Sequence, residues 1–223
     1  MHLTDKLEQE VWENSAIERI VDLVKTVDGD LVAVGKLSEV VDEPYCLQKI
    51  IEFISKNPQG KQVFQERPCL GNIDLHELYR LPHNTLGHNY ANHMLENDLK
   101  PLGLEAQQIE SDLQFVRVHI AQTHDIWHVA TGCNTNLLGE LQLEAFYVAQ
   151  LYTTRFWLAL IAKNLIKAVV YDIETSTQYM DAITKGWLMG KQAKTLFGIQ
   201  WKHLWEKPLE EVRTSLNIVP IEV

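Results

Sequence analysis

The segment HDIWHVATGCNTNLLGE, residues 124–140, decides how this chain has to fold. On a helix, residues four apart lie about 40° apart around the axis, so His124 and His128 point the same way, one turn apart. Asp125 lies about 60° from His128 and can reach the same volume. On an unbroken helix Glu140 would lie about 120° away from His128, so we expect a turn between them.

The residues between the two halves of this segment supply such a turn. Gly132 suits the end of a helix, and Asn134 or Thr135 suits the N-cap of the next one. The second helix then folds back with Glu140 facing the histidines. Glu144, one turn further along, is a further candidate on the same face.

Two histidines with one or two carboxylates are a ligand set suited to zinc, iron(II) or manganese. Such a site usually keeps one position open for water or substrate, so the ion can act as a Lewis acid. Asp125 is then either a third ligand or a residue that orients a histidine. Histidines at this spacing also occur without a metal, held by packing and hydrogen bonds, and spacing alone leaves both interpretations open.

Helical periodicity extends over almost the whole chain and predicts one all-α domain over residues 1–223, a helical bundle with long amphipathic helices. Gly29 is expected to end the first helix, Pro58 to stop a helix over 47–57, and Pro82 to open another. Only LVAV, residues 31–34, has the pattern of a strand, and it is too short to support one. The segments at 110–132 and 137–171 are the longest.

The amino-acid composition and net charge exclude several classes of protein. Of the 223 residues, 46% are apolar and 22% are charged, as in globular proteins, and a net charge of −10 argues against nucleic-acid binding. Cys46, Cys69 and Cys133 form no C-x-x-C pair, which favours a reducing compartment. We expect no signal or transit peptide, no membrane-spanning helix and a cytoplasmic location, with possible peripheral membrane contact.

Several motifs outside the segment allow more than one interpretation. RFWLALIAKNLIKAVVY, residues 155–171, suits the wall of a prenyl tunnel or a membrane-touching helix, but also a core helix or an oligomer interface. His83, His88 and His93 are spaced too far around a helix to share one ion and are expected at the surface. The G-x-x-x-G at 186–190 could allow close helix contact, although ordinary packing is the simpler expectation.

HDIWH followed by eleven residues and Glu140 resembles the H-D-x-x-H-x₁₁-E signature of the coenzyme Q biosynthesis protein four family. ERPCL with LYRLPHNTLGHNY upstream, LGE with Phe146 and Gln150, and GWLMGKQAKTLFGIQW with LWEKPLEEVRTSLNI near the end extend the likeness over about residues 65–218. The first fifty residues show no match. Family members commonly carry arginines just before the H-D pair, where this chain has His119 and Ala121, so an anionic head group would be held differently here.

The resemblance implies an all-helical protein that binds a polyprenylated quinone precursor. By matching positions, it implies that His124, Asp125, His128 and Glu140 hold a divalent metal and act catalytically through it. Zinc is the first choice, followed by iron(II), manganese or magnesium. The implied chemistry is removal of a ring carboxylate and hydroxylation of that carbon, with other quinone-biosynthesis proteins, a membrane surface and a second copy of the chain as partners.

Three functions therefore compete. The first is a metal-dependent decarboxylase or hydroxylase acting on a prenylated aromatic acid. The second is a non-catalytic prenyl-lipid-binding scaffold that organises other quinone-biosynthesis enzymes. The third, a metal-dependent hydrolase, needs a separate upstream histidine and a downstream aspartate that the sequence does not clearly offer.

Overall fold

A computed structural model describes all residues except 1–2, 27–29, 42–43, 57, 104–107, 153 and 222–223. The described residues form an all-α single domain without a strand. The helices are α1 (Leu3–Lys25), α2 (Leu31–Val41), α3 (Pro44–Ile54), α4 (Pro58–Glu66), α5 (Leu75–Tyr79), α6 (Leu86–Glu96), α7 (Asp112–Thr131), α8 (Leu137–Gln150), α9 (Arg155–Tyr171), α10 (Ser176–Gln192) and α11 (Leu209–Leu216).

Short polar side chains determine where the central helices begin. Ser111, Asn136 and Thr154 each accept a hydrogen bond from a backbone N–H three residues later, at the starts of α7, α8 and α9. These bonds satisfy N–H groups that the first helical turn leaves without partners. The N-cap of α8 is thus Asn136, one or two residues later than the sequence prediction.

Helices α8 and α10 make the most extensive helix–helix contact among the described residues, and two glycines allow their backbones to approach. A Cβ atom on Gly186 would lie 1.9 Å from the backbone oxygen of Gln142, and one on Gly190 would lie 2.9 Å from that of Phe146. Only hydrogen fits at these positions, so the G-x-x-x-G does bring two backbones together. The expectation of ordinary packing there was wrong.

Two further sequence predictions need correction. Helix α6 begins at Leu86 after the N-cap Thr85 rather than at Pro82. The segment 31–34, which was too short to support a strand, begins helix α2. Pro58 opens α4, while α3 already ends at Ile54. The helix-ending role predicted for Gly29 lies outside the described residues.

The apolar stretch 137–171 divides into α8 and α9, which meet at a sharp turn. Tyr152 has φ of 63°, in the left-handed region, and Thr154 caps the new helix. The turn lays α9 beside α8. None of the described helices has the length and apolarity needed to cross a bilayer.

Candidate metal centre

The side chains of His124 and His128 converge on one point, as their spacing on α7 predicts. Their Nε2 atoms lie 3.2 Å apart. Glu140, carried in by the first turn of α8, brings its carboxylate within 3.2 Å of His128 Nε2 and 3.9 Å of His124 Nε2. One ligand atom from each of the three residues lies within 4.8 Å of the others.

The turn between the two helices also fixes the His128 ring. Gly132 ends α7 with φ of 75°, a conformation that favours glycine. The chain turns at this glycine, and the next residue's carbonyl, that of Cys133, accepts a hydrogen bond from His128 Nδ1–H at 3.0 Å. This bond leaves the Nε2 lone pair directed at the cluster, which is the usual orientation of a metal-binding imidazole.

The pKa values of the two imidazoles shift in opposite directions, although burial lowers both. Desolvation, aided by the neighbouring His128, lowers the pKa of His124 to about 4, so that ring is neutral at pH 7. Burial also disfavours the charged form of His128, but the hydrogen bond and negative charge of Glu140 outweigh it and raise its pKa. A neutral imidazole with a free lone pair is the form that binds a metal.

Asp125 is directed away from the other three residues. Its Oδ1 lies 3.4 Å from Nε2 of His93 on α6, and the His93 ring stacks on His128 with centroids 5.6 Å apart. Burial opposes the charged form of Asp125, but the His93 hydrogen bond and the nearby histidines lower its pKa overall. Asp125 thus contacts a histidine that is not one of the two candidate ligands on α7, and its role as a ligand or as an orienting residue stays a prediction.

The expectation of surface positions for the spaced histidines was wrong for two of the three. His88 is buried, and its Nδ1 contacts the Tyr79 carbonyl at 2.7 Å. The His93 side chain is 14% exposed and lies against the candidate centre. His83 is exposed in the loop before α6, where its Nδ1 lies 2.8 Å from Nε2 of His88. Sequence spacing gave no signal for His93, because its partners lie on another helix.

A stack of aromatic rings packs against one side of the cluster. The rings of Trp127, Tyr147 and Trp157 are nearly parallel, with 4.2 Å between successive centroids. The His124 ring stacks with Tyr147 and Trp157, at centroid distances of about 6 Å. Wide apolar surfaces on one side exclude water and lower the local dielectric. The cluster therefore has one dry side and one side facing open space.

That open space is a cavity of about 580 Å³. His124 and Glu140 lie in its wall, which continues along α9 through Phe156, Trp157 and Leu160. Residues of α2 and α3 close the other side. The surface of the cavity is mainly apolar.

The positions where the family commonly has arginines do not supply cations here. His119 is buried; its Nδ1–H donates to the Pro68 carbonyl at 3.0 Å, while its Nε2 accepts from the Gly198 N–H at 2.9 Å. Burial lowers the pKa of His119 to about 4, so it is neutral and structural. The cations in the cavity wall are Arg117, two turns before His124, and Lys163 on α9.

The three residues fit a divalent ion. Two ligands bound at about 2.1 Å in tetrahedral geometry lie about 3.4 Å apart, close to the 3.2 Å between the two Nε2 atoms. His128 is held in the binding orientation by its bond to Cys133, whereas the Nδ1 atom of His124, which faces away from the cluster's Nε2 atoms, is buried without a hydrogen-bond partner. His124, His128 and Glu140 would hold the ion; with only three protein ligands, a position would remain open for an exogenous one.

The fold and this site define a class: an all-α protein whose candidate two-histidine, one-carboxylate centre opens into an apolar cavity. The chain belongs to the family described as Coenzyme Q (ubiquinone) biosynthesis protein Coq4, whose family model matches residues 6–222. The match begins well before residue 65, so residues 6–50 are also part of the family pattern.

Individual relatives agree with this membership. The chain is 29% identical over 181 residues to the rat mitochondrial ubiquinone biosynthesis protein COQ4 homologue, covering 79% of this chain and 67% of the relative. It is 25% identical over 217 residues to the zebrafish mitochondrial homologue, covering 86% and 77%. A crystal structure of a Nostoc punctiforme protein has the same fold, with a TM-score of 0.80 at 24% identity, covering 92% of this chain and 98% of that one.

Proposed function

We propose that this protein binds a divalent metal at His124, His128 and Glu140 and uses it to hold the ring of a polyprenylated aromatic acid. In the oxidative decarboxylation that we propose, the ring carboxylate leaves as CO₂ and dioxygen supplies the hydroxyl group that replaces it. A two-electron donor outside the protein reduces the second oxygen atom to water. The observation that carries this proposal is the opening of the cluster into the apolar cavity. Two imidazoles and one carboxylate favour zinc, with iron(II) and manganese next, and magnesium least because it prefers oxygen ligands.

The residues around the cluster support the same assignment. The apolar wall along α9 suits an isoprenoid tail, whose burial contributes about 0.8 kcal/mol per CH₂ group. Arg117 and Lys163 provide positive charge in the same wall, which favours an anionic head group. A bound ion would supply Lewis acidity, and the aromatic stack would keep water from the dry side of the ring.

Contacts with a membrane, with other quinone-biosynthesis proteins or with a second copy of the chain are also part of the proposal. Support comes from exposed apolar side chains where α9 ends and α10 begins: Val169, Tyr171, Ile173 and Met180 are each at least half exposed. Apolar groups gathered in this way commonly mark an interaction surface. The scaffold function uses this surface and the cavity but needs no chemistry at the cluster.

Replacing His128 by alanine separates the enzyme from the scaffold. We expect His128→Ala to lose bound metal, measured by elemental analysis of untagged protein, and to lose turnover of a prenylated aromatic acid. Extraction of bound lipid followed by mass spectrometry should still detect prenyl lipid. His76→Ala, which changes an exposed histidine on α5, is the matched control and should keep metal, turnover and lipid.

Three other outcomes would count against the proposed enzyme. Undiminished turnover in folded, metal-free His128→Ala protein would contradict the catalytic proposal. Absence of turnover in the parent protein, together with retained prenyl-lipid binding, would favour the scaffold. Absence of both metal and lipid from the parent protein would refute the proposal as a whole.

A further inference from the structure

A second polar group lies in the cavity wall beyond the candidate metal centre. Glu144 follows Glu140 by one turn of α8, an axial rise of about 6 Å. Asn164 on α9 lies opposite it. Glu144 is 6% exposed and Asn164 is 1% exposed, yet both border a cavity whose surface is mainly apolar.

The Asn164 amide is not fully satisfied by the protein. Its Nδ2 donates to Glu144 Oε2 at 3.5 Å, at the limit of a hydrogen bond, and its Oδ1 is buried with no partner. Exchanging the amide oxygen and nitrogen leaves the same position without a partner. An unpaired buried polar atom destabilises the fold, and buried polar atoms are nearly always paired.

Glu144 is an unusual side chain for such a wall. Burial raises its pKa to about 8, although the nearby Lys163 opposes the rise. At pH 7 the carboxyl group therefore mostly holds its proton, and it can donate a hydrogen bond as well as accept one. A protonated acid beside a half-satisfied amide provides both donors and acceptors within one turn of the metal ligand Glu140.

We infer that Glu144 and Asn164 form a recognition subsite for a hydroxyl group on the ring of the bound aromatic acid. A hydroxyl both donates and accepts, so it satisfies the open position on Asn164 in either orientation of the amide. The subsite lies one helical turn from the candidate metal centre, which is the length scale of a single aromatic ring. This inference rests on the proposed function, since it names the feature by which that same cavity selects its ligand.

The test compares two probes that differ by one group: a geranyl-substituted para-hydroxybenzoic acid, and the same compound with hydrogen in place of the hydroxyl. Binding to the metal-loaded protein is measured by isothermal titration calorimetry. The parent protein should prefer the hydroxylated probe by about tenfold or more, because the second probe leaves the Asn164 position unpaired. In Asn164→Leu the preference should fall to nearly one, with affinity for the second probe retained.

Two further variants make the result decisive. Asn164→Ala is smaller than the native residue and should also abolish the preference, which covers the case in which the leucine variant fails to fold. Leu160→Ala removes an apolar part of the same wall and should weaken both probes by the same factor, leaving their ratio unchanged.

Equal affinity of the parent protein for both probes would overturn the subsite and leave the proposed function standing. A preference that survives in both Asn164 variants would place hydroxyl recognition elsewhere and overturn the subsite as well. If neither probe binds the parent protein, the proposed function fails and this inference fails with it.

Discussion

Glu140 and Asp125 approach the paired imidazoles in different ways, and the difference can be measured. The Glu140 carboxylate lies beside both Nε2 atoms, whereas the Asp125 carboxylate contacts His93. We expect Glu140→Gln to lower zinc affinity much more than Asp125→Asn. Loss of a residue that positions a ligand without binding the metal itself typically lowers metal affinity about 10–100-fold. Loss of an anionic ligand lowers it further.

Competition with a chromophoric chelator at fixed pH measures both affinities on one scale. Circular dichroism of each variant checks that the helices are intact. If Asp125→Asn loses as much zinc affinity as Glu140→Gln, then Asp125 is a ligand itself, as its spacing from His128 allows.

His119 links the stability of the fold to pH. Burial lowers its pKa to about 4 from an ordinary value of 6.5, so the unfolded chain binds a proton in this range that the folded chain does not. The His119 contribution to stability is complete above pH 6.5 and is lost as pH falls from 6.5 towards 4. The slope from this one group approaches 1.4 kcal/mol per pH unit.

His119→Gln removes the titrating group, so the variant should be less stable at pH 8 and should lose less stability between pH 7 and pH 5 than the parent. Urea denaturation across that range gives both free energies of unfolding. His76→Gln, an exposed change, should reproduce the parent's pH dependence. Parallel curves for the parent and His119→Gln would show that His119 does not titrate as its burial requires.

Among the helices, the contact between α8 and α10 leaves no room for a larger side chain at Gly186. Gly186→Ala would put a methyl group 1.9 Å from the Gln142 carbonyl oxygen, so the two backbones would have to move apart. We expect a loss of about 1–3 kcal/mol in the free energy of unfolding. Because α8 also carries Glu140, zinc affinity should fall as well.

Gly35→Ala is the matched control for this change. Gly35 lies within helix α2 and has no atom within 4 Å of its ideal Cβ position. Alanine should therefore stabilise the protein by about 0.5–1 kcal/mol, since it is the better helix former. Urea denaturation of both variants tests the pair, and equal effects of the two substitutions would show that the α8–α10 contact is not tight.

What the sequence can and cannot predict differs from helix to helix. The turn that brings Glu140 back to the histidines was predictable, because helical geometry requires it and Gly132 marks its place. The division of 137–171 was not predicted, although Thr153, Thr154 and Arg155 interrupt the apolar pattern there and Thr154 caps the new helix. The left-handed conformation of Tyr152 at the break has no comparable sequence signal. The contact between His93 and Asp125 joins residues 32 apart on different helices, a pairing that follows from tertiary packing alone.

On the scale of the whole molecule, the candidate ligands join α7 to α8, two helices whose residues fill much of the core. An ion bound there binds the folded chain and has little affinity for the unfolded one, so it should stabilise the entire domain. The linkage predicts about 2.7 kcal/mol of added stability when free zinc is 100 times its dissociation constant. Weak binding of zinc to histidines of the unfolded chain would reduce this value.

Urea denaturation in zinc buffers, with a chelator as the zero point, measures this stabilisation directly. The free energy of unfolding should rise with the logarithm of free zinc above the dissociation constant. His128→Ala should abolish the dependence, because it removes the most buried of the three ligands, while His76→Ala should keep it. Stability that does not change with zinc, iron(II), manganese or magnesium would mean that the two imidazoles and the carboxylate pair with one another and hold no ion.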